Sequence, residues 1–173
     1  MMPGNLAEAL KAVAQAAGSA RDPWWIIGSA SLALHAIDPG PIGDIDLLMS
    51  GRDAAVLLKA RHVPVAPGVP TSRFRSAVFG RWTASGLTIE VMAGFEARDA
   101  GPQDATHWRP VLPQTRERIV VGGEALFVPS RRELAALFRR FGRAKDIARA
   151  AVLDQPMPRS AGPNACGSSA DNA

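Results

Sequence analysis

Cysteine is nearly missing from this chain. Of its 173 residues only Cys166, set among glycine, serine and asparagine near the end, carries a thiol. A disulfide framework and a cysteine metal site are both excluded, and a reducing cytoplasm is the expected setting. Histidine is also sparse: His35, His62 and His107 lie too far apart in sequence to suggest a zinc site. His35 is expected to pack against the sheet. Residues 1–20 place Glu8 and Lys11 among scattered alanines, with no basic head followed by an apolar core. No apolar run approaches the roughly 20 residues that cross a bilayer. Neither secretion nor membrane insertion is expected.

What is present is the balance of a folded domain. Apolar residues make up 47% of the chain and charged residues 21%, which argues against disorder. The length suits one well-buried core. We therefore expect a single domain over residues 1–153 and a disordered tail over 154–173, where proline, glycine, serine and asparagine accumulate. The net charge is +4 and arginine dominates the cations. That balance suits a polyanionic partner such as nucleic acid or nucleotide, although a solvated basic surface would look the same.

Periodicity divides the chain into alternating elements. Leu6, Leu10, Val13 and Ala17 recur at helical spacing, so residues 5–17 read as an amphipathic helix. Trp24-Trp25-Ile26-Ile27 is a short strand that ends on Gly28-Ser29, and residues 30–37 read as a helix broken by Asp38-Pro39-Gly40-Pro41. Residues 42–49 form a second strand. Residues 52–60 read as a helix with Ala55, Leu58 and Val56 turned inward, followed by a proline-rich connector over 63–70. Two hairpins come next: 74–82 with 87–92 through Ala84-Ser85-Gly86, and 118–121 with 125–128 through Gly122-Gly123. Between them, residues 97–113 read as a long loop, and its Trp108 is a candidate substrate contact. Ser130 and Glu133 have capping-box spacing and open a helix through Leu134, Leu137 and Phe138. Gly142 interrupts it, and residues 143–153 form a last helix.

Three features carry chemistry. Gly28 lets the backbone approach a ligand, and the helix start after it, with the Ser29 hydroxyl, suits a phosphate. The plain alternative is a turn in which Ser29 caps the helix. In Gly43-Asp44-Ile45-Asp46-Leu47-Leu48, strand alternation puts both carboxylates on one side. Burying two adjacent like charges is costly unless a cation neutralises them, and oxygen ligands at this spacing suit magnesium completed by water and phosphate. Glu90, inside Leu87-Thr88-Ile89-Glu90-Val91-Met92, is the third acid. It either accepts a proton from an attacking hydroxyl or helps to hold a second metal. Arg73, Arg75 and Arg81 alternate on the preceding strand as a positive strip or as a charged edge.

Together, Ile26-Ile27-Gly28-Ser29, Asp44-Ile45-Asp46 and Glu90 resemble the DNA polymerase β-like nucleotidyltransferase superfamily in its minimal form. Arg143-Ala144-Lys145-Asp146-Ile147 is similar to a segment of AbiEii-type toxin nucleotidyltransferases. The resemblance spans roughly residues 24–153. It implies an α/β nucleotidyltransferase fold, with a mixed β-sheet and helices packed against one face. It implies Asp44, Asp46 and Glu90 as catalytic and metal-binding residues, with Mg2+ or Mn2+ as cofactor. Gly28, Ser29, Lys145 and Asp146 would serve the nucleotide, Lys145 near its phosphates and Asp146 in orienting the site. The chain departs from the pattern at Arg149, where a second acid usually stands. Fourteen residues separate Ser29 from Asp44, a slightly long interval.

The expected activity is metal-assisted transfer of a nucleoside monophosphate from an NTP to an acceptor hydroxyl. RNA or protein is favoured as acceptor over a small antibiotic, because a cationic drug would call for an acidic pocket. A non-catalytic nucleotide- or RNA-binding module is the alternative from a different class, and a toxin–antitoxin partner is a further expectation.

Overall fold

The computed structural model describes residues 2–98 and 107–156. In chain order the elements are α1 (Gly4–Ala16), β1 (Trp25–Ile27), α2 (Gly28–Leu34), β2 (Asp44–Met49), α3 (Gly51–Ala60), β3 (Phe74–Ala84), β4 (Leu87–Arg98), β5 (Trp108–Pro110), β6 (Glu117–Val121), β7 (Glu124–Val128), α4 (Arg131–Phe141) and α5 (Ala144–Leu153). The main sheet runs β1-β2-β4-β3, and β5 pairs with β4. Only β2 and β4 are parallel; the other neighbours are antiparallel. This is the mixed α/β architecture expected. The disordered tail was expected beyond residue 153, and most of it, residues 157–173, lies outside the described residues.

The helices do not all pack on one face, as the sequence had suggested. Ile45, Leu47 and Met49 of β2 join Ile26, Ile89 and Val91 in a core covered by α1 and α3. Trp25, Ile27, Leu48 and Met92 point the other way, into a second core with α4 and α5. All three residues of β1 are buried because the strand is covered on both sides. At Gly94, with φ +54°, the alternation breaks. Phe95 and Ala97 thereby join the core of Met92, whereas Ala93 belongs to the other.

Turn chemistry sets both hairpins. Ser85 and Gly86 have φ of 49° and 77°, and Gly122 and Gly123 have 57° and 87°; successive left-handed residues match the twist of a tight hairpin. The first hairpin is longer than its sequence pattern: β4 continues to Arg98, and Trp108 returns to pair with that residue. The 97–113 segment is therefore not simply a loop, although residues 99–106 lie outside the described residues. The inward face of α3 also differs. Ala54, Leu57 and Leu58 are buried, Ala55 is half-buried, and Val56 is 57% exposed.

The proline-rich connector before β3 does not hang free. Ala66 bridges Phe79, and the Gly68 amide donates to the Ser76 carbonyl at 3.0 Å. The connector thus covers the outer edge of β3 and builds one wall of a cleft. At the other end of the fold, the Ser130 hydroxyl accepts the Glu133 amide at 3.3 Å, which is half of a capping box. Glu133 does not complete it. Its carboxylate accepts the amides of Gln114 (2.6 Å) and Thr115 (2.7 Å), and the Ser130 amide donates to Thr115 Oγ1.

Candidate functional site

The register of three strands assembles the carboxylates. Asp46 lies beside Ile27 of β1 on one side and beside Glu90 of β4 on the other, and Asp44 is two residues back on the same strand. Register partners share a face, as do alternate residues. Asp44, Asp46 and Glu90 therefore stand on one side of the sheet, at the wall of a cleft of about 740 Å³.

Their electrostatics follow from crowding. Burial pushes the Asp46 carboxyl up to about 7, and repulsion from Asp44 and Glu90 adds to the rise against the pull of Arg143 and Lys145. Glu90 is raised too, by burial and by Asp44, while Arg81 across the sheet opposes. The nearest Arg81–Glu90 approach is a loose 3.9 Å, so that pairing is weak. Among the described residues, no three acidic, histidine or cysteine side chains already converge on one point as a closed metal cage. The donors are nonetheless all oxygens, and magnesium commonly takes only one or two carboxylates and fills its shell from water and phosphate. The mutual repulsion is what a divalent cation would relieve, so the residues fit such an ion.

Gly28 is constrained twice. Its φ of +69° is left-handed, and a Cβ there would sit 2.0 Å from Asp46 Oδ2. Only glycine lets the turn and the carboxylate coexist. Ser29 follows, nearly buried, and does not cap α2; that helix has Ile27 at its cap position and no side-chain cap bond. The Ser29 hydroxyl instead accepts a hydrogen bond of 2.6 Å from Arg149 of α5.

Helix α5 brings the cations. Arg143, Lys145 and Arg149 all line the cleft. Lys145 is exposed and makes no salt bridge among the described residues. Asp146 does not line the cleft: it is fully buried. Arg143 holds its carboxylate with two bonds of 2.6 and 3.0 Å, and Arg149 approaches to 3.7 Å. The acid expected beside the nucleotide thus reaches the cleft only through two arginines. A buried carboxylate requires such partners.

The structure brings together Gly28, Ser29, Asp44, Asp46, Glu90 and Lys145. Sequence reasoning passed over Arg149, read only as a departure, although its i,i+3 spacing from Asp146 was a usable signal. It also passed over the connector as a cleft wall. Arg75 and Arg81 do border the cleft, but Arg73 donates to the Phe141 carbonyl at 3.1 Å. Trp108 is not among the lining residues; the guanidiniums of Arg75 and Arg98 stack over its ring at 4.7 and 4.4 Å. His35 is buried and bonds the Pro129 carbonyl at 2.8 Å. No described helix is long and apolar enough to cross a membrane.

No protein-family model matches the sequence, and no curated protein matches it by sequence. Solved structures do match by fold. A provisionally assigned nucleotidyltransferase from Thermotoga maritima superposes with a TM-score of 0.68 at 20% identity, over 88% of this chain and 92% of that one. The antibiotic-resistance factor ANT(2'')-Ia gives 0.55 at 11% identity, over 88% and 84%. An antigenic nucleotidyltransferase-like protein from Paracoccidioides brasiliensis gives 0.52 at 16% identity, over 86% and 75%.

Proposed function

We propose that this chain, which has the nucleotidyltransferase fold, transfers a nucleoside monophosphate from an NTP to an acceptor hydroxyl. The observation that carries the reading is one cleft with opposed charges. Asp44, Asp46 and Glu90 share a sheet face, Arg143, Lys145 and Arg149 line the same cleft, and the Gly28-Ser29 turn touches both sets, Gly28 against Asp46 and Ser29 against Arg149. A protein that only bound a polyanion would gain nothing from three clustered carboxylates.

Asp44 and Asp46 would hold Mg2+ or Mn2+, which when bound would neutralise charge on the phosphates and lower the pKa of a coordinated hydroxyl. Ser29 and Lys145 hold the triphosphate. Glu90, with its pKa raised toward working pH, takes the proton of the acceptor hydroxyl. The freed oxygen bonds to the α-phosphorus, the bond from that phosphorus to the bridging oxygen breaks, and pyrophosphate leaves with the electron pair. Most of the acceleration comes from holding the two reactants in line.

The acceptor side of the cleft favours RNA or protein over a cationic antibiotic. Its acidic residues all belong to the carboxylate set, and the charged groups contributed by β3 are Arg75 and Arg81. A second reading, a metal-independent nucleotide- or RNA-binding module, draws on the five cations that line the cleft, Arg75, Arg81, Arg143, Lys145 and Arg149.

The test is incubation of the purified chain with each α-labelled NTP, Mg2+ or Mn2+, and bacterial RNA and protein extracts, beside Asp44→Asn and Asp46→Asn. Either substitution should lower transfer at least about a hundredfold with the fold retained, the scale of losing a group that stabilises developing charge. Full activity in both variants overturns the mechanism. Salt-sensitive RNA binding without metal dependence or transfer would favour the module.

A further inference from the structure

We infer that Arg149 is a phosphate-binding residue, paired with Ser29 into a single clamp and aimed by the buried carboxylate of Asp146; the inference rests on the nucleotide-binding part of the reading above. Arg149 is held from three directions. Nη2 donates to Ser29 Oγ at 2.6 Å, Nη1 lies 3.7 Å from Asp146 Oδ1, and the guanidinium stacks over the Phe138 ring with its carbon 5.7 Å from the centroid. Its side chain is 16% exposed, and that exposed part borders the cleft.

A purely structural tie between α5 and α2 would not need this charge. Asp146 is already satisfied by two bonds from Arg143, so a second arginine leaves the cluster around this buried carboxylate with one net positive charge. That excess faces the cleft. A guanidinium carries five N–H donors in a rigid plane. One is spent on Ser29, and the edge turned toward Asp146 occupies more, so at least one remains for a ligand. Ser29 accepts from Arg149 and so keeps its own hydroxyl proton to donate. Two adjacent donors, one of them charged and both fixed in place, match neighbouring oxygens of a polyphosphate. The carboxylates that line the cleft are all on the sheet, and the two α5 residues in its lining, Lys145 and Arg149, are both cations.

The experiment measures binding of inorganic tripolyphosphate and orthophosphate, each with Mg2+, to the full chain and to Arg149→Met, Arg149→Lys and Asp146→Asn. Arg149→Met should weaken tripolyphosphate at least about tenfold and reduce its preference over orthophosphate. Arg149→Lys, which restores the charge without the planar fork, should recover part of that loss. Asp146→Asn, acting only through the arginines, should weaken tripolyphosphate less than Arg149→Met does. Melting temperatures of the variants show whether each still folds. A well-folded Arg149→Met, or an Arg149→Gln if the former does not fold, that binds tripolyphosphate as tightly as the parent overturns the inference while leaving the nucleotidyl-transfer reading intact. Loss of binding in Arg149→Met in a protein that transfers no label upholds the clamp and counts against the transferase. A parent chain that binds no tripolyphosphate overturns the clamp, and label transfer from an NTP decides the transferase separately.

Discussion

Gly28 joins fold and chemistry at a single atom. A side chain there would need left-handed backbone at φ +69° and would meet Asp46 Oδ2 at 2.0 Å. The backbone penalty alone is about 1–2 kcal/mol, and displacement of Asp46 adds to it. Gly28→Ala should therefore lower the melting temperature by at least about 2–4 °C, the shift that 1 kcal/mol produces in a chain of this size. It should also weaken metal-dependent NTP binding at least tenfold by moving Asp46. A variant with parent-like melting and binding would show that the turn tolerates a Cβ and that Asp46 can be displaced freely. Gly28, Asp44, Asp46 and Glu90 were legible in the sequence because their pattern is local: a glycine after a strand, two acids with period two, and one acid inside an apolar strand. Arg149 was not, because its place at the cleft depends on α5 meeting α2, a contact between residues 120 positions apart. Asp146 was expected beside the nucleotide; its complete burial comes from the packing of α5 and has no signature in the local sequence.

At the level of elements, the approach to β1 is fixed by α3. Asp53 is buried, and its Oδ2 accepts the backbone amides of Arg21 at 2.9 Å and Asp22 at 2.7 Å, just ahead of the strand that leads into Gly28. Burial alone would raise its carboxyl, but the Asp22 amide, Arg52 and the Arg21 amide outweigh that and hold it below the usual carboxylate range. Asp53→Ala strands two amides and should cost about 1–3 kcal/mol. A carboxyl with a depressed folded pKa contributes stability above its unfolded value near 4, and that contribution is lost as pH falls through the folded value. The gap between parent and variant in urea denaturation should therefore narrow under acid; a gap unchanged between neutral and strongly acid pH would exclude this role. The same side chain explains why the inward face of α3 was misread. With Asp53 committed to the 21–22 backbone, Ala54, Leu57 and Leu58 face the core and Val56 faces solvent. Elements whose ends are set by turn residues, at Ser85-Gly86, Gly122-Gly123 and Gly142, were placed closely by sequence. β4 was cut short because its last residues pair with β5 across a long interval, and Glu133 does not close its capping box because the Ser130 amide donates to Thr115 Oγ1 while the Glu133 carboxylate holds the 114–115 backbone. Both are long-range contacts that local propensity does not encode.

Across the whole molecule, two cores sandwich the sheet, and one face at the cleft carries charges of like sign. This arrangement ties stability to pH and to cations. Burial and the neighbouring carboxylates push the Asp46 carboxyl up to about 7 in the fold against about 4 in the unfolded chain, and Glu90 is shifted in the same direction. A group whose folded pKa is raised stabilises fully below its unfolded value, and that stabilisation is lost as pH rises through the folded value. Without added cations, the contribution of this face should thus fall between about pH 4 and about pH 7, opposite in sign to that of Asp53. A divalent cation bound to the deprotonated carboxylates reverses the loss, because a ligand that binds only the folded state stabilises it by mass action. Melting curves with and without Mg2+ should show a larger cation-induced rise at about pH 8 than at about pH 5, where protons compete for the same oxygens. Asp46→Asn removes the most strongly shifted group, so it should melt higher than the parent at the alkaline end without metal and gain less from Mg2+. If Mg2+ raised parent and variant equally at both pH values, the ion would be acting elsewhere on the surface.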